Sequence, residues 1–167
     1  MFAKIITGVL AFLLVLFPDW GSLQYQYQMR IFDRDKITAS IVKAIDARDS
    51  AALKDLMCLN IKENVEDLSG KIDEVISTIN GKVTKYRVES AGQYSSARDG
   101  KRVNQIGWDI YFSTATNNFR MHILWEVANN FAPDETGIRR ILLLEGAPPH
   151  TELKSIWATE GVFGWHD

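Results

Sequence analysis

The chain has 167 residues, 46% of them hydrophobic and 24% charged, with a formal net charge of −2. That length suits one domain with a sizeable core, and the near-neutral balance gives no electrostatic case for a nucleic-acid partner. Cys58 is the only cysteine, so an intrachain disulfide is excluded.

Lys4 precedes an unbroken apolar run over residues 5–17, closed by Pro18. A short positive flank before a run of this length is the pattern of an export signal. The run falls short of the ~20 apolar residues a spanning helix needs. Residues 1–22 are therefore expected to be a signal peptide, with the domain outside the cytoplasm. Asp19 and Trp20 stand where a cleavage site wants small residues, and only Gly21 and Ser22 qualify by size. Retention as an N-terminal membrane anchor, with Lys4 on the cytoplasmic side, is the second reading. A buried first helix of a cytoplasmic protein is the third. Membrane contact is expected only through this segment. No cysteine follows the run, which excludes a lipobox-type anchor.

Residues 23–147 are expected to form the domain, and 148–167 a tail. Residues 23–29, rich in Gln and Tyr, read as a linker or the lead-in to a helix. Asp33 or Asp35 can cap a first helix running to about Arg48, with Ile37, Ile41, Ala44, Ile45 and Arg48 at helical spacing. Asp49-Ser50 starts a short second helix with Leu53, Leu56 and Met57 inward. The third is clearest: Leu68, Ile72, Val75, Ile76 and Ile79 form one stripe, and Asn80-Gly81 ends it. From Lys82 the apolar period switches to two. A first strand covers 83–90, and Asp99-Gly100 marks a hairpin turn after a long connection. Residues 129–137, with Pro133 and Asp134, read as a loop, and 138–145 as a last strand. Pro148-Pro149 breaks the chain, and Trp157, Phe163 and Trp165 give the tail an aromatic character.

The central feature is a hairpin of residues 104–114 and 119–127, with Asn117-Asn118 as its expected turn. One face carries Ile106, Trp108, Ile110, Phe112 and Thr114, then Phe119, Met121, Ile123, Trp125 and Val127. Buried, each large side chain contributes roughly 1.5–3 kcal/mol, so this face must be covered. The Asn-Asn turn sets Phe112 against Ile123, Ile110 against Trp125 and Trp108 against Val127. A turn one residue earlier slides the pairing by two and keeps the same face. The other face carries Gln105, Asp109, Tyr111, Ser113, Arg120, His122, Leu124 and Glu126, and reads as solvated or half-covered. The Asn-Asn register sets Asp109 against Glu126, a like-charge pair near His122.

The order of helices before an antiparallel meander predicts an α+β fold, with N-terminal helices packed on a curved four-stranded antiparallel sheet. No nucleophile elbow, phosphate loop or dinucleotide fingerprint is present, and no cofactor is called for. His122, His150 and His166 lack metal-ligand spacing to one another or to Cys58. Cys58, in an apolar setting, reads as a small buried hydrophobe. Lys82, Lys85, Arg87, Arg98, Lys101 and Arg102 gather on one hairpin, but Glu89 and Asp99 interleave them, which is a solvated face.

Three stretches carry a resemblance. Residues 44–49 (AIDARD) lead into 53–57 (LKDLM), residues 67–79 lead into 81–86 (GKVTKY), and 107–111 (GWDIY) follow. In order and spacing the region 31–145 resembles a family of short, uncharacterised exported proteins of Gram-positive bacteria, a domain of unknown function. Many members appear as lipoproteins, a mode of attachment this chain lacks the cysteine for. The element order is also similar to the cystatin-like cone of the nuclear transport factor two superfamily, which implies a pocket inside the cone. Some relatives of that fold are isomerases or dehydratases; others bind ligands or dimerise through the outer sheet face.

Enzymes of that fold keep acids and bases inside the cone. Here the inner face of the hairpin carries none, so no catalytic residue is assigned. The expectation is a non-enzymatic extracytoplasmic binding domain for a small apolar ligand or a protein partner. Tyr86, Trp108, Phe112, Met121 and Trp125 are the candidate pocket residues; as plain core they would serve stability alone. A homodimer through Tyr111, Leu124, Leu142 and Leu144 on the outer face is the alternative. An isomerase- or hydrolase-like enzyme using Asp109, His122 and Glu126 comes last.

Overall fold

The computed structural model describes residues 20–98, 100–132, 135–145 and 152–157. The apolar run, most of the aromatic tail, His150 and His166 lie outside the described residues. Five described helices precede a sheet of five strands in the order β1-β2-β3-β4-β5, every neighbouring pair antiparallel. The α+β class therefore holds, but the sheet has five strands rather than four. The helices are α1 (Trp20–Ile31), α2 (Arg34–Ala47), α3 (Ser50–Asp55), α4 (Leu59–Asn64) and α5 (Leu68–Thr78). The strands are β1 (Lys85–Arg98), β2 (Lys101–Ser113), β3 (Asn118–Asn129), β4 (Gly137–Glu145) and β5 (Glu152–Trp157).

Side-chain caps set the helix starts. Asp33 accepts from the Lys36 amide, Asp49 from that of Ala52 and Asp67 from that of Gly70. Each satisfies an amide the first turn leaves free, worth about 1 kcal/mol. Arg48 is not part of the apolar stripe. It takes a left-handed conformation (φ 55°) at the end of α2, and its guanidinium donates to the Ile76 carbonyl at 2.7 Å. The segment expected as a linker or the lead-in to a helix is itself helical, as α1, and α4 was not expected at all. Both are weakly patterned, so their apolar periodicity gives little warning.

Ile41, Ile45, Leu53, Ile72, Val75 and Ile76 from the helices form one buried cluster with Trp108, Ile110, Met121, Ile123, Ile141 and Leu143 from the sheet. The helices thus cover the apolar hairpin face. The hairpin itself turns earlier than predicted. Thr114 and Asn117 close it, with the Thr114 amide donating to the Asn117 carbonyl at 2.8 Å and the Thr114 hydroxyl accepting from the Asn117 amide at 3.2 Å. Phe112 consequently faces Phe119, Ile110 faces Met121, Trp108 faces Ile123 and Ile106 faces Trp125. The slip of four residues is even, so every side chain keeps its predicted face. It does undo the like-charge pair: Asp109 faces His122, and Glu126 faces Gln105.

The outer face is drier than predicted. Gln105, Asp109, Leu124 and Glu126 are buried, while Tyr111, Arg120 and His122 are half-buried. Neighbours on both flanking strands wall in the side chains of β2 and β3, and ion pairs satisfy the charged ones. β5 supplies the fifth strand from what was expected to be tail, pairing Ile156 with Ile141. Lys154 ties it to α5 by donating to Glu74 at 2.8 Å.

One junction locks the helices to the sheet. The Ile138 amide donates to the Leu56 carbonyl at 2.8 Å, and the Cys58 amide donates to the Ile138 carbonyl at 3.1 Å. Gly137 permits this approach with φ 141°, and a Cβ there would sit 2.6 Å from the Cys58 nitrogen. Gly137→Ala should therefore cost about 2 kcal/mol or more, since strained backbone and a steric clash add. Urea denaturation of the variant checks this; an unchanged midpoint would mean the junction has slack.

Candidate functional site

Three polar or concave features stand out among the described residues. The first is on the outer sheet face. The strands set Asp109, Arg120 and His122 side by side because β2 and β3 alternate in register. Arg120 donates to Asp109 Oδ2 at 2.9 Å, and His122 Nδ1 lies 3.0 Å from Asp109 Oδ1. The Asp109 side chain is 7% exposed. Its hydrogen bond holds the Arg120 guanidinium above its ordinary pKa. A carboxylate that orients a histidine through Nδ1 leaves Nε2 available for proton transfer. Among the described residues, however, no hydroxyl or thiol is hydrogen-bonded to His122, and Arg120 shares the carboxylate. The set reads as a structural charge cluster, although Arg120 Nε is buried without a hydrogen-bond partner among the described residues. Arg87 stacks over the adjacent Tyr111 ring at 4.0 Å.

The second feature surrounds Glu126, which is 1% exposed. Asn129 donates to its Oε1 at 2.7 Å, and Gln105 and Arg139 donate to its Oε2 at 3.2 and 2.9 Å. Glu135 lies 3.5 Å from the same Arg139 nitrogen and accepts from the Asn60 amide. Burial raises the Glu126 carboxyl above its usual range, against the pull of Arg139. Asp109, His122 and Glu126, the three outer-face candidates, do not converge. The first two meet, while Glu126 belongs to a separate network that pins the end of β3 to β4 and α4.

The third feature is a cleft of about 770 Å³ between the α1–α2 corner and the β1–β2 edge. Ile31, Phe32 and Ile106 supply its apolar lining, with Ser90, Gly92 and Gln93 from β1. Arg30, Asp33, Arg34 and Asp35 line its helical side. Arg34 pairs with Asp35 and donates to the Ser90 hydroxyl at 3.1 Å. Behind the lining, Phe32 packs edge-on to Trp108 at 6.2 Å and lies 6.5 Å from Trp125.

The predicted pocket residues are divided by this arrangement. Trp108 and Met121 are fully buried, and with Trp125 they line neither described cleft. Trp108 and Trp125 instead back the large cleft through Phe32. Tyr86 and Phe112, paired across β1 and β2, share a second cleft of about 340 Å³ with Phe119, Arg87 and Tyr111. Phe32 was missed by sequence reasoning. Its signal was present: an apolar residue just before cap Asp33, with Ile37 at the fourth helical position, is the hydrophobic-staple pattern. Cys58 is fully buried, and burial pushes its thiol up to about 11, so it is unreactive at neutral pH. Among the described residues no three His, Cys, Asp or Glu side chains gather as a metal site, and no helix is long and apolar enough to cross a membrane.

Residues 40–146 match the model of a domain of unknown function, DUF5104. The chain belongs to the DUF5104 family. No curated protein matches it. The DUF5104 span starts within α2 and takes in β1 to β4. Both outer-face networks fall inside it. The cleft straddles its limit, with strand residues within the DUF5104 span and the α1–α2 corner ahead of it.

Two outcomes follow from the charge networks. Asp109→Asn should lose about 1–3 kcal/mol, because it weakens two charge-assisted hydrogen bonds at a buried position; chemical denaturation at neutral pH measures it. For Glu126 the raised folded-state pKa means the native state holds its proton more tightly than the unfolded chain. Its contribution is then fullest below the ordinary carboxylate value and declines as pH rises toward the raised one. Stability of the wild type relative to Glu126→Gln should therefore improve as pH falls from 7 toward 4.5. Paired urea titrations at both pH values decide this, and a flat difference would refute it.

Proposed function

We propose that this DUF5104 domain is a non-enzymatic binding module that works outside the cytoplasm and holds a small, largely apolar ligand with a polar end. The observation that carries this reading is the cleft at the α1–α2 corner. Its volume of about 770 Å³ falls within the ~300–1,000 Å³ usual for ligand pockets. Phe32 and Ile106 offer an apolar body contact, and the helical side offers charge. Of the charged groups, Asp33 accepts from the Lys36 amide, and Arg34 and Asp35 neutralise one another. Arg30 makes no ion pair among the described residues, which suits a ligand with an anionic end. None of these groups forms an acid–base pair over the lining, so binding is favoured over catalysis.

Register shifts in all four strand pairs support reading the sheet as a cystatin-like cone, since bulges bend strands. Lys4 and the apolar run after it support export, in the manner of exported Gram-positive proteins. Docking of a protein through the outer face is the second reading. Leu124 and Leu144 there are buried, at 6% and 9% exposure, which leaves that face less apolar surface to offer.

The test uses anilinonaphthalene sulfonate, a probe with an apolar body and one anionic group. Full-length protein in mild detergent should bind it with saturable fluorescence enhancement. Ile106→Glu should cut that affinity about tenfold or more by placing a like charge against the anionic probe, while circular dichroism stays native. Equal binding by the folded variant would refute the cleft as the site.

A further inference from the structure

The two edges of the sheet are built differently. β5 has six residues, whereas β1 has 14 and no proline. β1 pairs with β2 on one side, and no described strand pairs with its other side. A long open edge is a template for strand addition, and folded proteins usually blunt it. Here the one irregularity is the bulge between Ser90 and Gly92. Lys85 to Ser90 pair with β2 residue by residue, so this stretch of the edge is regular.

That stretch is self-complementary. When two copies meet edge to edge about a two-fold axis normal to the sheet, inner faces stay with inner faces only if the axis passes through a residue. An axis at Tyr86 would oppose Lys85 to Arg87. Axes at Arg87 or Glu89 would oppose each residue to its own copy. An axis at Arg87 would also set Lys85 opposite Glu89, but with Arg87 against its own copy; an axis at Val88 sets Arg87 opposite Glu89 twice with no like charges opposed. Arg87 and Glu89 already pair with each other along β1, yet remain 60% and 51% exposed, so each can extend that pairing to the other copy. The same register sets Tyr86, 45% exposed, opposite Ser90 of the other copy. Ser90 lines the large cleft.

We infer that β1 joins a second copy of this chain, antiparallel about Val88, merging two five-stranded sheets into one. Such an interface is isologous and closes at two subunits; it pairs residues 85–91 of each β1 and leaves 92–98, beyond the bulge, outside the shared ladder. It also brings each copy's Tyr86 to the rim of the other's cleft, a contribution that rests on the binding reading above. This interface uses the strand edge and its backbone groups, and leaves the outer sheet face open.

Sedimentation of the full chain in mild detergent should show a dimer. Arg87→Glu sets Glu against Glu89 twice and should weaken dimerisation about tenfold or more. The swap R87E/E89R restores opposite charges and should restore the dimer. Val88→Cys should cross-link to its own copy under mild oxidation, because directly opposed Cα atoms lie ~4.5–5.5 Å apart, within disulfide reach. Tyr94→Cys, beyond the bulge, should not. The native Cys58 is buried and stays out of the reaction. A monomer at every concentration, a dimer indifferent to Arg87→Glu, or cross-linking at Tyr94→Cys but not at Val88→Cys would each overturn the interface. A Val88→Cys dimer whose dye affinity is unchanged by Tyr86→Ala would overturn the rim contribution alone.

Discussion

The covered face of the β2–β3 ladder is the constraint from which the rest of the fold follows. Trp108, Ile110, Phe112, Phe119, Met121, Ile123 and Trp125 occupy alternate positions and are all buried. A sheet face this apolar has no stable exposed state, so the helices must lie across it. Their own stripes are matched to that task, and both sets meet in one cluster. The polar functions of the chain are displaced accordingly. Charge appears on the reverse face, at the ends of strands and at the corner between α1 and α2.

The physics that made this face readable also explains what was not. Period-two alternation survives any even slip, so the faces of Phe112 and Met121 were legible while their partners were not. Asn117-Asn118 looked the better turn by backbone preference. The Thr114 hydroxyl, by accepting from the Asn117 amide, stabilises an earlier one. That local hydrogen bond decides which polar groups meet, and so separates Asp109 from Glu126. β5 escaped notice because a strand of six residues carries too little pattern. Trp108 and Trp125, expected to line a pocket, line neither described cleft and pack behind Phe32, whose position at a helix cap hid it from periodicity.

Two kinds of buried charge are present, with different costs. Asp109 is buried on the outer face and is held by Arg120 and His122, which are only half-buried. Glu126 is buried more deeply and its carboxyl is pushed upward in spite of Arg139. A buried ion pair of this kind adds little net stability, but it fixes which strand ends come together. Here it joins β3 to β4 beside the Gly137 junction. The cleft lies at the α1–α2 corner, framed by a helix cap and a strand edge. Its apolar lining is backed by the aromatic core through Phe32.

The most direct measurement of the central claim is hydrogen exchange on the full chain with and without saturating anilinonaphthalene sulfonate. Added protection is expected at residues 30–35 and 90–93, the two walls of the cleft. Protection confined to residues 85–87 and 111–119, or none in either region, would contradict it.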